Sequence, residues 1–235
     1  MEETYLHHEE HGLSSNVLKD IVIGMSDGLT VPFALAAGLS GAVNDTAIIV
    51  LAGLAEIAAG SIAMGLGGYL AGQTEQDHYN SELRREYYEV DNMPDKERAE
   101  VKEFFEGLGL SEDVQHKAVH ELTKNKDRWV DFMMKYELAL DKPDPKRAGQ
   151  SAFNIGVSYI VGGLVPLSPY FFIHDSFAAL KFSVAITLAC LFVFGFFKSR
   201  LTGVNPWSGG LKVLLIGAVA AATAFGITKL IQGKA

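Results

Sequence analysis

Five stretches of this 235-residue chain are apolar almost throughout: 21–43, 47–72, 151–169, 176–197 and 211–231. A helix needs about 20 residues to cross the hydrocarbon core of a bilayer, so each stretch predicts a membrane span. The Asn44-Asp45-Thr46 turn makes the first two spans antiparallel neighbours. Residues 74–148 have a different pattern, with apolar positions at helical spacing set among dense charge. After Gly72 the helical pattern runs on through QTEQDHYNSELRREYYEV, with neither proline nor glycine until Pro94. One long helix leaving the membrane is therefore expected. Pro94 then sits in the first turn of a second helix, with Asn92 as its cap, ending at Gly107-Leu108-Gly109. Ser111-Glu112-Asp113 starts a third that reaches about Leu140, ahead of a Pro143/Pro145 linker. The expected fold class is an all-α membrane protein of five transmembrane helices, with a three-helix domain inserted between spans two and three. The expected boundaries are a leader at 1–19, spans one and two at 20–73, the insert at 74–148 and spans three to five at 149–235.

This division explains a mean hydropathy of only +0.16, which averages a charged insert with nearly uncharged flanks. The 24 glycines suit helices that pack through small residues. Cys190 stands alone in an apolar run, which excludes disulfides and a cysteine metal site. No cleavable signal is expected, because the first apolar run is too long and follows an acidic leader containing His7, His8 and His11. A flexible terminal tract or a metal-binding His-Glu cluster are both compatible with that leader. Basic residues set the orientation. Lys19 precedes span one, thirteen Lys and Arg lie between spans two and three, and Lys198, Arg200 and Lys212 flank the loop between spans four and five. Lys181, Lys229 and Lys234 lie on or near the other side. The positive-inside rule then puts the N-terminus and the insert in the cytosol and the C-terminus outside it.

The chemistry begins with two acids where lipid forbids them, Asp27 in span one and Glu56 in span two. An ionisable group at membrane depth costs about 2.5–3.5 kcal/mol on insertion scales, which pairing, water or a cation must offset. At 1.5 Å per residue, Asp27 and Met64 come out nearly level on facing helices, roughly 10–13 Å below one membrane face. Glu56 lies two turns deeper, near the midplane. Two carboxylates and a thioether form a ladder suited to a divalent transition metal, the thioether shifting preference away from magnesium and calcium. Met64 taken alone reads first as a gap-filling core residue. Pro32 bends span one beside Asp27 and frees a carbonyl near Gly28. In the insert, Glu86 and Glu89 are i, i+3, as are Glu97 and Glu100, while Met133 and Glu137 are i, i+4; each pair shares a helix face. Such carboxylate pairs resemble the clusters that hold divalent iron or manganese in helical bundles, without the histidine of an oxidising di-iron centre. Spacing alone also fits a solvated acidic face. No phosphate loop, nucleophile elbow, zinc-spaced Cys/His set or nucleic-acid motif is present, so neither an enzyme nor a nucleic-acid partner is expected.

The run DIVIGMSDGLTVPFALAAGL in span one, with AEIAAGSIAMGLGGYL in span two, resembles the vacuolar iron transporter family. The likeness extends through the acidic insert and the last three spans. It implies a homodimer with the pathway at its two-fold axis, lined by spans one and two of each subunit. It also implies proton-coupled movement of ferrous iron from cytosol to vacuole across the vacuolar membrane. Asp27 and Met64 match the family's membrane metal site, and Glu56 its deeper pathway acid. Glu86, Glu89, Glu97, Glu100, Met133 and Glu137 match its cytosolic metal-binding cluster. No catalytic cofactor is implied; the metal is cargo, Fe2+ first, with Mn2+, Co2+, Zn2+ and Ni2+ as related ions. The rival readings are a membrane-anchored metal sensor or store, and a manganese-directed transporter on the same scaffold.

Overall fold

The computed structural model describes residues 15–232, and the leader's His7, His8 and His11 lie outside the described residues. The chain runs α1 (Ser15–Ala42), α2 (Thr46–Asn92), α3 (Pro94–Gly107), α4 (Glu112–Leu122) and α5 (Lys126–Phe132), then a π-helical turn over Met133–Glu137. It continues with α6 (Arg147–Phe172), α7 (Ser176–Leu201) and α8 (Pro206–Gln232). Five of these, α1, α2, α6, α7 and α8, are long and apolar enough to cross a membrane. The 47 residues of α2 extend about 70 Å, more than twice the roughly 30 Å hydrocarbon core. Only its apolar stretch can be a span, and the charged part from Thr74 onward lies beyond it. The chain divides into two compact units, one holding α1, the first part of α2 and α6–α8, the other spanning Leu70–Arg147.

In the membrane unit, α6 packs against both α1 and α2 through glycines that let backbones touch. A Cβ placed on Gly28 of α1 would lie 2.3 Å from the Tyr159 carbonyl oxygen of α6, and one on Gly24 equally close to that of Ile155. Without a hydrophobic driving force in lipid, such close approach is what holds membrane helices together. Gly162 and Pro166 sit within a continuous α6. Gly162 receives the backbone of Met25 and Leu29, and the Pro166 carbonyl accepts a 2.7 Å hydrogen bond from Ser183 on α7. Helix α1 likewise runs unbroken through Pro32. Helices α7 and α8 pack on each other and on α1. The core gathers Phe33, Ile49, Ile57, Leu167, Tyr170 and Leu180. The outer faces are apolar: Leu51, Ile62, Phe153, Phe182 and Ile216 are each more than three-fifths exposed. In water that surface would be a liability, and against lipid chains it is the required one.

The insert departs from the expected layout in two places. Met93 caps α3, while Asn92 closes α2 by donating to the Tyr88 carbonyl. The expected third helix is divided at residues 123–125, where Asn125 accepts from the Arg128 amide and restarts the chain as α5. Asparagine is among the best N-caps because its side chain satisfies an otherwise orphaned helix amide. Val101, Val119, Trp129, Val130, Met133 and Met134 form this unit's core with Tyr79 and Val90 of α2.

Candidate metal centre and membrane pathway

Three acids expected to share metal come together in the insert. One carboxylate oxygen each from Glu86 on α2, Glu97 on α3 and Glu137 on the π turn lie within 4.8 Å of one another. Glu86 is 1% exposed and Glu97 0%. Glu86 Oε2 and both oxygens of Glu97 have no hydrogen-bond partner. A buried carboxylate is rarely left so, because its desolvation goes uncompensated. A divalent cation would supply the missing partner. Opposed oxygens around a first-row metal stand about 4–4.4 Å apart, so a small contraction closes the set. Cations ring the cluster without filling it. Arg85 lies 3.9 Å from Glu86 and 3.7 Å from Glu89, and Lys96 sits 3.7 Å from Glu97 and 2.9 Å from Glu100. Glu89 and Glu100 are thus partly exposed acids at the rim, each already paired.

The π turn carries both remaining ligand candidates. A π turn widens the helix by one residue per hydrogen bond, and such bulges collect at functional sites. The Leu138 amide donates to the Met133 carbonyl, five residues back, which sets the register of Glu137. Met133 is fully buried, yet it lines a pocket with Glu100, Glu103, Phe104 and Glu137. Glu103, which extends the E-x-x-E spacing one turn on from Glu100, was not singled out by sequence, and it also lines a second pocket with Glu106.

Burial and mutual repulsion hold protons on these acids. Burial first, then the charges of Glu137, Glu97 and Glu89, push Glu86 up to about 7 against the pull of Arg85. Burial and then Glu100 and Glu89 push Glu97 up to about 7, against Lys96. Glu137 is raised too, by burial and then by Glu100. An ion arriving at neutral pH therefore meets acids poised to exchange protons for it.

In the membrane unit, the Tyr159 hydroxyl of α6 donates a short hydrogen bond to Glu56 Oε1, while Glu56 Oε2 is buried without a partner. Asp27 is half-buried on α1, next to the glycine that packs on the Tyr159 backbone. Gly60, one turn from Glu56 on α2, makes room for the ring: a Cβ there would lie 2.4 Å from the hydroxyl. Tyr159 thus holds Glu56 through its hydroxyl and meets the α1 backbone beside Asp27. Met64 is half-buried one turn beyond Gly60. Nearer the start of α1, Asp20 is 1% exposed and accepts from Ser151 and Asn154 of α6, at 3.0 and 3.3 Å. Sequence reasoning passed over Tyr159 and Asp20. The polar Asn154 and Ser158 in span three were the available hint that α6 faces something charged.

The model of the VIT family matches residues 18–229 of this chain. Vacuolar iron transporter 1 of Tulipa gesneriana is 52% identical over 226 residues, covering 96% of this chain and 92% of its own. Vacuolar iron transporter 1 of Arabidopsis thaliana is 49% identical over 226 residues, with 96% and 90% covered. Protein CCC1 of Saccharomyces cerevisiae is 37% identical over 224 residues, covering 92% of this chain and 69% of its own. The role stated in the names of the two plant relatives is transport, not catalysis. With its five apolar spans and acidic insert, the chain belongs to the VIT family.

Proposed function

We propose that this protein carries ferrous iron from the cytosol into the vacuole across the vacuolar membrane, in exchange for protons. The iron transport named for its relatives supports the cargo. One observation carries the reading most directly: Glu56, a carboxylate at membrane depth, is held by one tyrosine hydroxyl and keeps a buried oxygen free of hydrogen bonds, and that tyrosine packs on α1 beside Asp27. Asp27, Met64 and Glu56 form the pathway. Residues 74–148 form a cytosolic domain that gathers metal through Glu86, Glu89, Glu97, Glu100, Met133 and Glu137, and the N-terminus lies on the same side. Two subunits form a homodimer whose axis carries the ion, so that two copies each of Asp27 and Glu56 face one path. Four carboxylates in a confined, low-dielectric space cannot all stay ionised without a cation. They hold protons when empty and yield them to arriving metal, the minimum chemistry for antiport. Mn2+, Co2+, Zn2+ and Ni2+ satisfy the same donors and are expected to compete. A sensor or store would leave the intramembrane acids without a purpose to balance their cost.

The test is uptake of ferrous iron by vesicles containing the purified protein. Saturable uptake well above that of protein-free vesicles is expected, with manganese as competitor. Uptake no faster than in empty vesicles, by a protein that still binds iron, would favour the sensor instead.

A further inference from the structure

An apolar groove lies among α1, α7 and α8, away from both acidic sites. It encloses about 320 Å3, runs along α7 from Phe177 to Leu188, and is floored by Ala37 of α1 with Ala221 and Ala222 of α8. Those twelve residues of helix span about 16 Å. Alanines on α8 leave open what larger side chains would fill, and a cavity with such walls does not hold water. Phe225 of α8 completes the lining.

Both phenylalanines carry a lysine. The Lys181 ammonium lies 4.8 Å from the Phe177 ring centre, and that of Lys229 lies 5.9 Å from Phe225. Both lysines are exposed, and neither pairs with an acid among the described residues. The acid nearest in sequence, Asp175, is engaged in capping α7 through the Ala178 amide. Helices α7 and α8 contain no Asp or Glu at all. Both cations stand at the end of the hairpin opposite its short connection, the side where the chain otherwise places little positive charge. Long lysine stems keep their charge at the level of lipid headgroups while the methylenes follow apolar surface. We propose that this groove binds an anionic phospholipid, one acyl chain lying along α7 and the phosphate held between Lys181 and Lys229.

The full-length protein in neutral detergent, titrated with phosphatidylglycerol or phosphatidylcholine and read by native mass spectrometry, tests this. Wild type is expected to hold one phosphatidylglycerol per subunit more tightly than phosphatidylcholine. Lys181→Gln should weaken that copy about fivefold, and Lys181→Gln with Lys229→Gln roughly thirtyfold, from the usual worth of a surface lysine near anionic lipid. Phosphatidylcholine binding should not change in either. Ala222→Phe, at an exposed groove position, should weaken both lipids; Ala222→Leu makes the same test if phenylalanine lowers the thermal midpoint. Lys198→Gln, at the other end of α7, is the control and should change nothing. Undiminished phosphatidylglycerol binding in the double variant, or an equal loss in Lys198→Gln, would overturn the site. Displacement of the lipid by soluble glycerol phosphate would overturn the acyl-chain half.

Discussion

Asp27→Ala is expected to lower metal flux by more than about a hundredfold in a protein that inserts and elutes as wild type does. Losing even an outer partner of a metal ligand typically costs 10–100-fold, and a carboxylate meeting the ion itself should cost more. Asp27 lies beside Gly28, at a close contact between α1 and the α6 residue Tyr159, whose hydroxyl binds Glu56. Its removal takes charge from the pathway without enlarging any side chain at that contact. Met64→Ala should also remove most of the flux, because the thioether is the soft donor of the set. Normal flux through a folded Asp27→Ala protein would remove Asp27 from the pathway.

The second large effect belongs to the insert and is a function of pH. Glu86 and Glu97 titrate near 7 in the folded chain against 4.5 when unfolded. Below 4.5 both stay protonated in either state and cost nothing. As pH rises toward 7 the unfolded chain ionises while the folded insert keeps its protons, so the metal-free insert loses stability, by on the order of a few kcal/mol above pH 7. Metal binding runs the other way. An ion must displace those protons, so affinity should fall below pH 7, by up to roughly a hundredfold per pH unit if two protons leave. Calorimetry of the full-length protein at pH 5.5 and 7.5, in buffers of different ionisation enthalpy, would read both affinity and proton release. Glu86→Gln with Glu97→Gln should weaken binding while raising the metal-free thermal midpoint at pH 8. A merely solvated acidic face would show neither change.

The features visible in the sequence are those set by local rules. The continuous α2 follows from the gap between Gly72 and Pro94, and the E-x-x-E pairs place Glu86 and Glu97 on definite helix faces before any packing is known. What sequence could not supply is meeting across distance. Tyr159 is an ordinary tyrosine in an apolar run; it becomes a partner of Glu56 only because Gly28 and Gly60, on two other helices, clear space for its backbone and ring. Asp20 reads as an interfacial acid at a helix start until Ser151 and Asn154 are found against it. The break before α5 was within reach, since Asn125 is a good cap, but an apolar stripe on both sides of it favoured one helix. The π turn has no sequence signature, although it carries both Met133 and Glu137.

Exchange of metal for protons at the intramembrane acids is read most directly by ferrous uptake into proteoliposomes recorded together with lumenal pH. An inside-acid gradient is expected to accelerate uptake, uptake is expected to alkalinise the lumen, and Glu56→Gln, which keeps the shape but cannot ionise, should uncouple or cripple the exchange. Metal flux that is indifferent to the gradient and moves no protons would rule out antiport and make the protein a channel or uniporter.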